Sequence, residues 1–252
     1  MARRGTPWQR RAYTLLAVSY QLQSCLFRDL LQYADAHWAY QQAARIAQGL
    51  DDAELLAAAM ARDDVTLLQE GRPGDAITVL QGALDTITHA GLPALRGYLL
   101  QALSEAYASV AEPQACWRAI GLAERVLERG DVPLETSTVR LTAASVIAQK
   151  GVDAVLLRDN DRAVALIDKS LATYDPTQVR GRARLLAQKA EAYSRLGHLD
   201  ACVATAEEAL ALANAVGSAK TVARVERLHA TLEESRWRRE PAVHRLGALL
   251  SL

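Results

Sequence analysis

Small residues recur along this 252-residue chain at Ala36, Ala76, Cys116, Ala163 and Cys202, spaced 40, 40, 47 and 39 apart, and this recurrence constrains the fold most. Seven residues after each stands another small one: Ala43, Ala83, Ala123, Ser170 and Ala209. Tyr40, Leu80, Ile120, Ile167 and Ala206 lie between the two. Nine residues before each first position stand Phe27, Leu67, Tyr107, Ala154 and Tyr193, preceded by Ser24, Asp64, Ser104, Gly151 and Ala190. The segments 114–123 and 200–209 superpose without a gap. Small side chains seven apart lie on one face of a helix and let a second helix approach closely, while the larger residues fill the space that is left. Each unit therefore reads as a helical hairpin. One hairpin cannot bury its apolar faces alone, so successive hairpins stack.

The composition agrees with helices. One Phe accompanies an abundance of Ala, Leu, Arg, Glu and Gln, which favours helix over strand. Most Gly and Pro residues punctuate the chain at intervals, as turns between helices would. The expected helices are 8–31, 33–48, 52–70, 74–89, 93–110, 113–129, 134–157, 160–173, 177–196, 199–215, 218–236 and 241–250. They form an all-α, right-handed superhelix over residues 1–252: five hairpins (8–48, 52–89, 93–129, 134–173, 177–215) and a cap over 218–252. The extra residues at 130–138 read as longer helices or as a loop crossing the groove.

The register resembles the tetratricopeptide repeat (TPR). Residues 186–210 match best, with Ala190, Tyr193, Gly197, Ala206 and Ala209 on pattern positions. Asp64 in place of a small residue, Cys116, Cys202 and Ser170 in place of Ala, and Ala154 in place of an aromatic depart from the pattern. The spacing also exceeds the usual repeat of about 34 residues. The longer form, with Gln9–Tyr13, Ala36–Ala39, Ala43 and Asp51-Asp52 at one end and 218–239 then 241–252 at the other, is similar to the C-terminal sensor region of bacterial helix-turn-helix transcriptional regulators. The resemblance implies a sensing role whose DNA-binding domain is absent from these residues.

In such repeats, the face of each first helix turned away from its partner lines the inner wall of the superhelix. At about 100° per residue that face carries Gln21, Cys25, Arg28 and Asp29 in the first unit, and Val65 and Gln69 in the second. Tyr98, Gln101 and Glu105 follow in the third, Val152 in the fourth, and Arg184, Glu191 and Arg195 in the fifth. A wall that mixes apolar strips with polar and charged groups suits a peptide, a small effector or a protein partner. The fourth unit's first helix is apolar nearly all round, which means burial on more than one side, or a subunit contact. A homodimer through the fourth or the terminal hairpins, or a scaffold without sensing, is the alternative.

Other functions find little support. The 29 Lys+Arg equal the 29 Asp+Glu, so the excess positive charge of a nucleic-acid binder is missing. Basic residues gather only at the ends, as Arg3, Arg4, Arg10 and Arg11, and as Arg236, Arg238, Arg239 and Arg245. They read as a solvated tail and a helix end complemented by cations. No apolar run reaches the roughly 18 residues of a membrane span, and the segment after Arg11 lacks a signal-peptide cleavage site, so the expected location is the cytoplasm. Residues 217–221 imitate the end of a phosphate-binding loop without its upstream Gly or its strand. Asp159-Asn160-Asp161 reads as a helix N-cap rather than a metal loop. His37, His89, His198, His229 and His244 read as separate surface residues, Cys116 and Cys202 as buried structural thiols, and Cys25 as the one accessible thiol. With no acid–base or nucleophilic constellation, neither an enzyme nor a cofactor or metal is expected.

Overall fold

The computed structural model describes residues 6–129, 139 and 141–251. Arg3, Arg4 and the segment 130–138, which sequence assigned to a basic end and to longer helices or a groove-crossing loop, lie outside the described residues. Among those described the chain is all helix, with twelve helices and no strand. It divides into two compact units, one up to residue 143 and one from residue 144.

The first unit holds α1 (Pro7–Asp29), α2 (Tyr33–Gly49), α3 (Ala53–Gln69), α4 (Pro73–Thr86), α5 (Pro93–Ser109) and α6 (Pro113–Glu128). They pair as the hairpins α1/α2, α3/α4 and α5/α6; α2 also packs on α3 and α4 on α5, while α1, α3 and α5 lie side by side. The second unit holds α7 (Ala143–Leu156), α8 (Asn160–Thr173), α9 (Val179–Leu196), α10 (Leu199–Ala215), α11 (Ala219–Glu233) and α12 (Pro241–Leu250). Here α9 packs against α8, α10 and α11, and α12 closes over α10 and α11. Ala190, Cys202, Ala206, Ala209, Val225, Leu232 and Leu246 form the core of that packing.

The small-residue register is the closest approach of the helices. All ten second-helix positions, from Ala36 and Ala43 to Cys202 and Ala209, have no exposed surface. Where Ser170 replaces Ala, its hydroxyl donates to the Ala144 carbonyl of α7 at 3.2 Å, so the buried oxygen is satisfied. Gly151 occupies the first-helix notch of α7 because Ile167 of α8 leaves no room for more: a Cβ there would lie 2.7 Å from Ile167 Cγ1. Burial also holds the Cys202 thiol unreactive, pushing its pKa up to about 12.

The turns inside the hairpins repeat with the same register. Leu31, Gly71, Ala111, Arg158 and Gly197 each take a left-handed backbone with φ between 57° and 83°. Each lets the following amide bond back to the helix it leaves, as Gln32 N–H does to Phe27 O at 2.8 Å and His198 N–H to Tyr193 O at 3.0 Å.

Several expectations need correction. Residues 139, 141 and 142 are not helical, so α7 starts at Ala143 rather than 134. Val139 and Leu141 are buried, and Leu141 packs so tightly on α5 that a methyl added at Gly97 would overlap it. The helix expected to reach 236 ends at Glu233, where Ser235 Oγ donates to Leu232 O and accepts from Trp237 N–H. Asp159 stands at the N-cap of α8 but makes no side-chain capping bond. The apolar face of α7 is internal: Val146, Ala148, Val152, Ala154 and Val155 are all buried.

Candidate functional site

The inner faces of the first helices are partly closed by their own packing. Gln21 is only 5% exposed, and its side-chain amide donates across to the Leu55 carbonyl of α3 at 3.3 Å. Asp29 and Gln101 are buried as well, and Val152 has no exposed surface. These four are therefore packing residues rather than parts of an open wall, because the spacing of α1, α3 and α5 is set by Ala-sized contacts such as Ala58 and Ala61 that leave longer neighbours covered. Cys25, Arg28, Val65, Gln69, Tyr98 and Glu105 are half-buried and line what remains.

Two residues that sequence reasoning did not select, Arg62 and Asp64 of α3, tie this wall together. Arg62 Nη1 donates to Tyr98 Oη at 2.9 Å, and its guanidinium carbon stands 5.3 Å from the centre of the same ring. Tyr98 and, across on α1, Cys25 both favour its charged form. Asp64 has no exposed surface. Burial, then the Glu105 carboxylate, drive its pKa well above the ordinary carboxylate value, and the Arg28 guanidinium opposes them. Neither Asp64 carboxylate oxygen has a hydrogen-bond partner, nor do the buried Nε and Nη1 of Arg28 or the Oε1 of Gln69. Buried polar groups are nearly always bonded, so these donors and acceptors on α1 and α3 can still take hydrogen bonds from water or another partner. The one sequence signal was Asp64 itself, a carboxylate at a register position that elsewhere holds Ser, Gly or Ala.

Beside this cluster, His37 of α2 is not the isolated surface residue that sequence implied. Its Nδ1 lies 2.5 Å from Asp63 Oδ1 on α3 and its Nε2 3.1 Å from Oε2 of Glu70, the residue that caps the C-terminal end of α3. Burial resists charging the ring, but the bonds to Glu70 and Asp63 outweigh it and hold the pKa above the ordinary value. His229 is also engaged, with Nε2 3.1 Å from the Val243 carbonyl.

In the second unit the selected residues are already satisfied. Glu191 accepts two bonds from Arg224 of α11, at 2.6 and 3.0 Å, a bidentate pair that sequence reasoning missed because Arg224 lies in the cap. Arg195 Nη1 donates to the Val155 carbonyl at 2.7 Å and Nη2 stands 3.9 Å from Glu191. Arg184 sits seven residues before Glu191 on the same helix and is half-buried. Of the basic ends, Arg10 bonds to the Leu50 carbonyl at 2.9 Å and Arg245 to Glu207 at 2.7 Å. No group of three or more His, Cys, Asp or Glu side chains placed to hold a metal ion occurs among the described residues.

No protein-family model matches the chain, and no curated protein does. Among solved structures, BtubC (BKLC) from P. vanneervenii is similar at 19% identity over 81% of this chain and 82% of its own, with a TM-score of 0.53. A tetratricopeptide repeat protein from Parabacteroides merdae matches at 12% identity over 94% of this chain and 100% of its own, with a TM-score of 0.39, too low to define a shared fold. The likeness to BtubC concerns the fold alone. Together with the buried small-residue register, it shows an all-α fold of stacked helical hairpins, and no described helix is long and apolar enough to cross a membrane.

Proposed function

We propose that the chain is a non-catalytic protein-interaction module, whose first unit takes a peptide segment or a small amide-bearing effector against α1, α3 and α5. The observation that carries this reading is the set of buried, unbonded groups on Arg28 and Asp64. A peptide backbone presents carbonyl acceptors for the guanidinium and N–H donors for the carboxylate, and TPR-like repeats expose first-helix faces to such segments. We further infer, from the resemblance of the repeats and terminal helices to bacterial regulators, that binding is read out as regulation. A ligand does that by favouring one spacing of α1, α3 and α5 over another, and only in proportion to its different affinity for the two.

A thermal-shift screen of the full chain against a peptide library supplies a binder, and calorimetry on variants locates it. Arg28→Ala is expected to weaken binding by about 10-fold or more, the scale of one or two charge-assisted bonds. Arg195→Ala leaves it unchanged. A binder indifferent to both Arg28→Ala and Glu105→Ala overturns the assignment, and one that lowers hydrogen exchange in α1, α3 and α5 supports it.

A further inference from the structure

The outer face of α1 carries a second surface. Trp8, Ala12, Leu15, Ser19, Leu22 and Leu26 are all exposed, and they are spaced 4, 3, 4, 3 and 4 apart. That is the seam spacing of a coiled coil, running about 27 Å along the helix at about 1.5 Å per residue. With Tyr13, Leu16 and Leu30 beside it, the large side chains of this face are 43–78% exposed. Seven large side chains exposed to that degree along one helix make a continuous apolar face of the kind that marks a protein–protein contact.

The internal repeat shows what such a face accepts. One repeat on, the positions of Leu15, Ser19 and Leu26 are Leu55, Ala59 and Thr66 of α3; two repeats on, they are Leu95, Leu99 and Ala106 of α5. Leu15 is 60% exposed, whereas Leu55 and Leu95 are 2% and 0%. The covering is done by the preceding second helix: Ala43 and Ala44 of α2 pack on Ala59, and Ala47 on Leu55. The α1 face is therefore a seat for a helix.

We propose that the occupant is the α1 of a second copy, laid antiparallel across a two-fold axis. The seam reads the same from both ends. Turning it over sets Trp8 against Leu26, Ala12 against Leu22 and Leu15 against Ser19, so that small residues meet large ones in the two inner layers. A seam in which each residue meets a different residue of the other copy, and that residue meets it in turn, defines an isologous contact, which closes at two subunits. The polar seam residue brings no penalty, because the Ser19 hydroxyl already donates to Leu15 O at 2.8 Å within α1.

Sedimentation equilibrium of the full chain at tens of micromolar tests the pairing. The expected mass is twice that of one chain, falling to one chain in Leu22→Asp with the helical circular dichroism unchanged, since Leu22 is 62% exposed and supports no internal packing. The register is tested separately in a Cys25→Ser background. Ala12→Cys combined with Leu22→Cys forms a disulfide-linked dimer, while Ala12→Cys alone does not, its two copies being about 15 Å apart along the seam. A monomeric parent chain overturns the proposal, including one that instead sediments with phosphatidylglycerol vesicles. So does a dimer that survives Leu22→Asp, or equal cross-linking by Ala12→Cys alone.

Discussion

Glu105 and Glu191 occupy the same register position on the first helices of their hairpins, one in each unit, and the two units finish them differently. Glu191 is gripped by Arg224, with Arg195 alongside, so its wall is an internally completed clamp joining α9 to α11. Glu105 instead stands near a second carboxylate, Asp64, and together with burial raises that group's pKa. The repeat thus fixes where a side chain stands, while the residue one helix away decides whether a carboxylate meets a cation or another carboxylate.

The largest expected effect tests the completed side. Glu191→Ala leaves Arg224 and Arg195 without their shared carboxylate and should cost about 2 kcal/mol, the range for removing one member of a partly buried charged pair. Hydrogen exchange should rise in α9 and α11 and stay unchanged in α1, α3 and α5. Loss confined to the first unit would erase the contrast between the units. Asp64→Ala tests the open side with the opposite sign. Alanine is the residue found at the equivalent Ala190, and the change removes a carboxylate whose charging is opposed by burial and by Glu105. A gain of about 1 kcal/mol is expected in denaturant unfolding, together with loss of binding at the Arg28 wall. A clear destabilisation would mean that Asp64 is already satisfied inside the fold.

A third, smaller effect compares the turns. Ala111 of the first unit and Gly197 of the second hold equivalent left-handed positions, with φ of 57° and 83°. Ala111→Gly should stabilise by about 1 kcal/mol by relieving the Cβ clash of that conformation, whereas Gly197→Ala should lose a similar amount. Equal, same-sign shifts would show that the two turns are not equivalent.

The fold was legible because close helix packing leaves a mark at single positions: no side chain larger than Cys or Ser fits at the ten second-helix notches, so the register survives even where Ala gives way to Cys116, Cys202 or Ser170. The site was legible only in part. Helical phase places Arg28, Tyr98 and Glu105 on one wall, but it cannot tell a half-buried position from a covered one such as Gln101 or Val152, which depends on the distance between neighbouring helices. Nor does phase within one helix reveal partners on the next, which is why Arg62, Arg224 and the contacts of His37 emerged only from the packing. The start of α7 was misread for a related reason: Leu141 is apolar enough for a helix face, but it fills the space over Gly97 of α5 and lies before α7 begins.

The smallest effect, and the one that separates the units by chemistry rather than by strength, is pH dependence. A neutral imidazole donates through one nitrogen only, so His37 can satisfy both Asp63 and Glu70 only when charged. Its pKa in the folded chain lies above the 6.5 of a free ring. The stabilisation is therefore fully present below about pH 6.5 and fades as pH rises through the folded value. Asp63, whose pKa burial raises despite the His37 charge, shifts stability in the same sense by favouring its protonated form. The Arg–Glu clamp of the second unit contains no histidine. Between pH 6 and pH 8.5 exchange should accordingly accelerate at the α2–α3 contact and not at α9 or α11. His37→Gln, which keeps a donor but cannot charge, should flatten that profile at the level of the parent at high pH. A profile that persists in His37→Gln would move the pH sensitivity to another group and leave the first unit distinguished by Asp64 alone.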